Sequence, residues 1–223
     1  MKGILLFIKR VFYKIGIDIR FVRKEEVRSA IEMNEVDSMN KYWSTKELSD
    51  RFLSKDVIKR FQDTLSILKD HHIDLSGLSV IDVGCGNGLL LKFLSENFSI
   101  SAQAGMEYAE AAIEVARKLN PVPEYIVHDI NQPYGVQYGA VICTEVIEHI
   151  LHPDKAVSNL LDMLQDKGML LITVPNGRYD TFAGHINFWS PESWEAFVQQ
   201  NSGGLEFRTG GVEKTLLYAI IYK

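Results

Sequence analysis

The chain has 223 residues, of which 46% are hydrophobic and 24% charged. That is the profile of an ordinary globular protein, one good-sized domain with an appendage, and it excludes collagen-like, disordered and disulfide-stapled classes. The formal net charge is −5, but residues 1–24 hold seven Lys and Arg against Asp18 alone, a net of +6, which leaves 17 basic against 28 acidic residues, or −11, for the rest. Such a balance repels a phosphate backbone, so nucleic acid is not expected as a partner of the main domain.

The chain opens on an amphipathic basic segment within residues 1–22. At helical period Leu5, Phe12, Ile8, Ile15, Ile4, Val11 and Phe7 fill one arc, with Lys9, Arg10, Tyr13 and Lys14 opposite. The apolar run is far short of the roughly 20 residues that span a bilayer, and no cleavable signal is recognisable. Two readings stay open: peripheral contact with an anionic membrane face, or docking on the domain or on a second copy of the chain in a homodimer. Cys85 and Cys143 are the only cysteines, too few for a stapling framework, and free thiols in a cytoplasmic compartment, reaching at most the inner membrane face, are expected.

From residue 24 to about 72 the text is polar and helix-prone, with Tyr42-Trp43 as an aromatic pair and a periodic set at Val57, Phe61, Leu65 and Leu68. Covering helices are expected here, so residues 1–55 read as an N-terminal extension and 56–223 as the main domain. The pattern then switches to short apolar runs at 78–83, 102–106, Glu124–Val127, 138–143 and 169–174, most of them separated by amphipathic helical segments. Strands alternating with helices predict an α/β fold, a mostly parallel sheet with helices on both faces. The runs 205–208 and 212–222 flank Gly210-Gly211 and predict a tight antiparallel hairpin. Ser190-Pro191-Glu192 supplies a cap, a first-turn proline and an acid for a helix that follows.

The most informative stretch is Val80-Ile81-Asp82-Val83-Gly84-Cys85-Gly86-Asn87-Gly88, where the first strand turns into a helix beginning near Leu89. Alternate glycines make a tight turn whose backbone approaches a ligand closely. A dinucleotide fingerprint wants a glycine at its sixth position, where Leu89 stands, which weakens the diphosphate reading. A second acid, Glu107, falls at the end of the second strand, where a ribose hydroxyl pair is held.

With D-x-G-x-G-x-G and that second acid in place, residues 56–223 resemble the class I S-adenosylmethionine-dependent methyltransferases. The resemblance implies a Rossmann-like seven-stranded sheet in the order 3-2-1-4-5-7-6 with strand 7 antiparallel, and S-adenosylmethionine as cofactor. Carried over by motif, Gly84, Cys85, Gly86 and Gly88 would line the methionine and ribose portion, with Asp82 beneath the amino-acid end and Thr144 nearby. Glu107 would bind the ribose hydroxyls, Tyr108 would pack on the adenine face, and Asp129 with Ile130 would meet the adenine edge.

After the fourth strand comes Cys143-Thr144-Glu145-Val146-Ile147-Glu148-His149. It resembles the E-V-(I/L)-E-H segment of ubiquinone-pathway O-methyltransferases, of 2′-O-methyltransferases of small-RNA ends and of cell-surface sugar-pathway methyltransferases. In the first two groups the segment has been linked to a divalent metal. If helical, it stacks Glu145, Glu148 and His149 at i, i+3 and i+4, able to converge on an ion or a substrate hydroxyl. His185, in Gly184-His185-Ile186-Asn187-Phe188-Trp189, is the candidate to complete the set. No second histidine clusters with the segment in sequence, a departure from the RNA-end enzymes.

Three roles stay open for this set: ligation of Mg²⁺ or Mn²⁺, metal-free catalysis with His149 as base and His185 behind it, or a structural turn. The function expected is O-methylation of a small-molecule, sugar or lipid-linked hydroxyl, with the aromatic segment 179–189 and Trp194 as an acceptor wall. N-methylation, 2′-O-methylation of an RNA end and a non-catalytic partner with the same fold are the rivals.

Overall fold

The computed structural model describes residues 24–45 and 54–223. The amphipathic reading of residues 1–22 lies outside them. Among the described residues three helices come first: α1 (Lys24–Met33), α2 (Val36–Trp43) and α3 (Lys55–Asp70). Then β1 (Ser79–Val83), α4 (Leu89–Ser95), β2 (Ala102–Glu107), α5 (Glu110–Leu119), β3 (Glu124–Val127) and β4 (Tyr138–Thr144) alternate, followed by a 3-10 turn at Ile147–His149. The chain closes with α6 (Pro153–Asp162), β5 (Leu164–Pro175), α7 (Pro191–Asn201), β6 (Glu206–Val212) and β7 (Leu216–Tyr222).

The seven strands form one sheet in the order β3-β2-β1-β4-β5-β7-β6. The first five run parallel, and β7 is antiparallel to both β5 and β6. The predicted order is therefore the observed one. Both faces are covered, so β4 reads as a continuous apolar run: Ala140 and Ile142 join a core with α3 and α4, Val141 and Cys143 one with α6 and α7. The helix signals hold locally. Ser190 and Ser193 make a reciprocal capping box at the start of α7, and Thr64, Ile67 and Leu68 bury the apolar face of α3.

Two expectations are corrected. Gly210 and Gly211 lie inside β6, and the hairpin turns at 213–215, with Glu213 at a φ of 52°. The reason is packing: Gly210 pairs with Tyr218, whose ring takes the space a side chain on Gly210 would need. Trp189 and Trp194 are 8% and 1% exposed. They stack with Phe197 inside the core, and the Trp194 indole N–H donates to the Tyr218 carbonyl, 2.9 Å. They belong to no acceptor wall; Tyr179 and Phe182 alone among the larger aromatics of that segment are exposed.

Candidate active site

All the candidate residues lie at or beyond the carboxyl ends of the strands, the end at which open α/β sheets bind ligands. Gly84, Gly86 and Gly88 have φ of 75°, 49° and 71°, values that L side chains adopt only under strain. At Gly86 a Cβ would stand 3.2 Å from the Trp43 ring, so the end of α2 sits directly on the glycine loop. Glu107, 7% exposed, accepts from the Gly86, Tyr108 and Ala109 amides at 3.3, 2.9 and 3.2 Å. Burial raises its pKa and the three amides oppose the rise. Asp82 is buried at the end of β1, and burial with the charge of Glu107 pushes it up to about 7.

Asp82, Gly84, Cys85, Asn87, Thr144 and Glu145 line one cavity of about 190 Å³, closed on the other side by α3. Arg60 of α3 is the one cation in that lining among the described residues; the sequence reading missed it, since a lone arginine on an amphipathic helix looks like a solvated face. Tyr108 is half-buried, and its hydroxyl donates to the Asn34 carbonyl, 2.9 Å. Asp129 is exposed and accepts from Asn131 in its own turn. Ile130 is half-buried against the core, its carbonyl taken by Asn159 at 2.7 Å.

The segment after β4 is no helix. The Glu145 amide donates to the Thr173 carbonyl at 3.0 Å, prolonging the pairing of β4 with β5, and Glu145 sits at a φ of 56°. The chain then makes only the short 3-10 turn, so the helical stacking of Glu145, Glu148 and His149 does not form. Glu145 instead faces the cavity, where the Thr173 hydroxyl donates to it at 3.4 Å. Desolvation raises its carboxyl to about 7, against the charge of Arg60.

Glu148, by contrast, is 1% exposed, and neither carboxylate oxygen has a hydrogen-bond partner among the described residues. Its Oε1 lies 3.8 Å from both His149 Nε2 and His185 Nε2. The rings of His149 and His185 stand 4.6 Å apart, centre to centre. Residues 36 apart in sequence are thus brought together, and the second histidine absent from the linear motif is supplied by the loop after β5. That loop is stapled to the turn: the Glu148 carbonyl accepts from the Ile186 and Asn187 amides at 2.8 and 2.9 Å, and the Asn187 side chain donates to the Ile147 and Ile150 carbonyls. Asn187 is a second residue that sequence reasoning missed.

Each imidazole is oriented from behind. His149 Nδ1 donates to the Gly184 carbonyl, 3.1 Å, and His185 Nδ1 to Asp180, 2.6 Å. Both Nε2 atoms therefore lie on the Glu148 side, each 3.8 Å from its Oε1. Burial and the neighbouring His185 hold His149 down at about 4, while burial with the charge of Glu145 pushes Glu148 well up. Glu148, His149 and His185 offer three ligand atoms within 4.8 Å of one another. Phe182, 53% exposed, lies edge-on to His149 and tilted against His185.

The strand order with its reversed β7, and a glycine loop and acid at the ends of β1 and β2, define a class I S-adenosylmethionine-dependent methyltransferase. Residues 47–203 match the methyltransferase domain family, and the chain belongs to it. A ubiquinone biosynthesis O-methyltransferase of Rickettsia bellii is 29% identical over 177 residues, 74% of each chain. One of Neisseria meningitidis is 31% identical over 115 residues, 48% of each. Among solved structures, the N-methyltransferase NodS of Bradyrhizobium japonicum, bound to S-adenosyl-L-homocysteine, superposes with a TM-score of 0.64 at 15% identity, covering 85% of this chain and 98% of that one. Magnesium protoporphyrin IX methyltransferase of Synechocystis, bound to S-adenosylmethionine, gives 0.62 at 17%, covering 84% and 96%. The chain is an S-adenosylmethionine-dependent methyltransferase. No helix of the described residues is long and apolar enough to cross a membrane.

Proposed function

We propose that the protein methylates a hydroxyl of a small, apolar or lipid-linked ring acceptor, and that Glu148, His149 and His185 hold a divalent cation beside it. The observation that carries this reading is the buried Glu148 carboxyl, without a hydrogen-bond partner among the described residues and 3.8 Å from the Nε2 atoms of two histidines. A buried carboxyl without a hydrogen-bond partner is costly in a protein interior unless a cation lies beside it. Two imidazoles and a carboxylate, each imidazole held at Nδ1 by a backbone carbonyl or a carboxylate, are a donor set that fits a first-row divalent ion such as Mn²⁺ better than Mg²⁺, which prefers oxygen ligands. When bound, such an ion lowers the pKa of a ligating hydroxyl.

The chain's own residues do the rest. His149, neutral at pH 7, is in the form that ligates and is a poor general base, which favours the cation over the metal-free role. Asp82 and Arg60, both lining the cavity, supply an anion and a cation for the two charged groups of the cofactor's amino-acid end. Phe182 presents an exposed ring over the histidines, suited to an aromatic or quinone-like acceptor. The relatives named for ubiquinone biosynthesis support an oxygen acceptor. The basic segment 1–22 would bring the enzyme to an anionic membrane carrying such a substrate, with residues 1–55 acting as extension and cover for the domain.

The test is transfer of labelled methyl from S-adenosylmethionine to a catechol bearing an apolar tail and to a lysate lipid fraction, with and without chelator. Label on oxygen, lost with chelator and restored by Mg²⁺ or Mn²⁺, is the expected result. Label on nitrogen, or transfer indifferent to chelator, overturns it. For the membrane part, deletion of residues 1–22 should abolish sedimentation with anionic vesicles; a full chain that ignores such vesicles at low salt makes the segment a packing element.

A further inference from the structure

Helices α1 and α2 do not pack on a face of the sheet; they lie across its active end. Trp43 rests on Gly86, and the Asn40 side chain accepts from the Ala111 amide in the first turn of α5, 3.0 Å. Asn34, between the two helices, touches both halves of the site. Its carbonyl accepts from the Tyr108 hydroxyl at 2.9 Å. Its side-chain amide donates to the Gly184 carbonyl at 2.8 Å, the same oxygen that receives His149 Nδ1 at 3.1 Å. One residue therefore connects the tyrosine beside Glu107 to the carbonyl that sets the orientation of a cluster histidine.

The cavity gives this connection work to do. At about 190 Å³ it is smaller than the ~300–1,000 Å³ of ordinary ligand pockets, and Tyr108, the residue expected at the adenine, is hydrogen-bonded to the α1–α2 junction. Cofactor binding then acts on the position of α1 and α2. We infer that Asn34 is a positioning residue through which an occupied cofactor site orders the Gly184 carbonyl and so aligns His149 for the cation. The inference rests on the cation reading above. The consequence is reciprocal positive coupling: each ligand tightens the other by the same factor, because ordering the cover once serves both.

The bland alternative is that Asn34 merely caps α1, since its side-chain amide also donates to the Ala30 carbonyl at 2.9 Å. A capping residue would affect melting temperature and leave the coupling alone. The discriminating quantity is the ratio of Mn²⁺ affinities with and without saturating S-adenosyl-L-homocysteine, measured by calorimetry on the full chain. The parent is expected to bind Mn²⁺ about 5-fold or more tightly with S-adenosyl-L-homocysteine. In Asn34→Ala the ratio should fall to near 1. Tyr108→Phe keeps the ring, removes the bond to the Asn34 carbonyl and should lower the ratio in the same way, which keeps the test alive if Asn34→Ala does not fold. A parent that binds Mn²⁺ with a ratio of 1 or below, or variants that keep the parent ratio, overturns the inference and leaves the cation site standing. A parent that binds no Mn²⁺ overturns both.

Discussion

Glu107 and Glu148 are both buried carboxyls at the same end of one sheet, 7% and 1% exposed, yet their surroundings are opposite. Glu107 accepts from three backbone amides, of the glycine loop and the β2–α5 turn. Glu148 has no hydrogen-bond donor among the described residues and lies 3.8 Å from two imidazole Nε2 atoms. The first carboxylate is completed by the fold and holds the loop in shape while keeping capacity for a ligand hydroxyl. The second is a local liability that a cation would turn into a ligand set. Burial alone therefore says little about a carboxylate's role; what it faces decides.

Replacing each acid should move stability in opposite directions, and the largest single effect belongs to Glu148. Glu148→Gln should weaken Mn²⁺ binding by about 100-fold or more, beyond the 10–100-fold that outer-shell changes cost. It should also raise the melting temperature of the metal-free protein, more at pH 8 than at pH 5. The sign follows from the raised folded pKa: an acid of this kind contributes stability below its unfolded pKa and loses it as pH rises. A parent and variant with equal Mn²⁺ affinity would dissolve the contrast. Glu107→Ala should do the reverse, lowering the unfolding free energy and weakening S-adenosyl-L-homocysteine binding together, by about 1–3 kcal/mol each, because three amides lose their acceptor. Scanning calorimetry and titration read both, and a Glu107→Ala protein as stable as the parent would show the amides to be satisfied otherwise.

The same contrast explains what was legible in the chain before folding. Asp82, the three glycines and Glu107 sit at strand ends whose apolar runs give away their place, and their spacing is local; the sheet order comes from the family resemblance that these residues carry, with the terminal reversal consistent with it. The histidine cluster is assembled across the sheet. His185 rides on a loop without period or strand pattern, and it reaches His149 only because Asn187 and the Glu148 carbonyl tie the loop to the turn. Arg60 and Asn34 look like ordinary polar positions of helices until α3 and the α1–α2 junction are seen over the site. Trp189 and Trp194 mislead in the opposite sense, since an aromatic-rich segment reads alike whether its rings face a substrate or the core.

A smaller effect distinguishes Asp82 from Glu107 on the cofactor side. Asp82 is pushed up to about 7, so near neutrality much of it is protonated in the free protein. An ammonium group bound against it favours the ionised form. Binding should then release a proton between about pH 5 and 7, and affinity for S-adenosyl-L-homocysteine should rise with pH through that window by up to about tenfold per unit before levelling off. Calorimetry in buffers of different ionisation enthalpy measures the proton count. Zero protons at pH 6.5 would place the ammonium group elsewhere.

The smallest expected effect lies at the outer edge of the cluster. The ring of Phe182 is 53% exposed, so removing it vacates little core and should leave the unfolding free energy within about 0.5 kcal/mol of the parent. Its edge contact with His149, 6.2 Å between centroids, and its tilted contact with His185 at 4.8 Å hold it where an aromatic acceptor would meet it. An aromatic pair is worth about 0.5–1.5 kcal/mol beyond burial, so Phe182→Ala should raise KM for a tailed catechol by about 2- to 10-fold. Mn²⁺ and S-adenosyl-L-homocysteine affinities should stay within about twofold, because neither set of polar partners includes this side chain. Phe182→Leu separates the two parts of the effect: it restores apolar area without the ring and should recover KM only in part if the acceptor is aromatic. Full recovery with leucine would mean that the wall recognises a lipid tail, and no change with alanine would mean that the acceptor approaches from another side of the histidines.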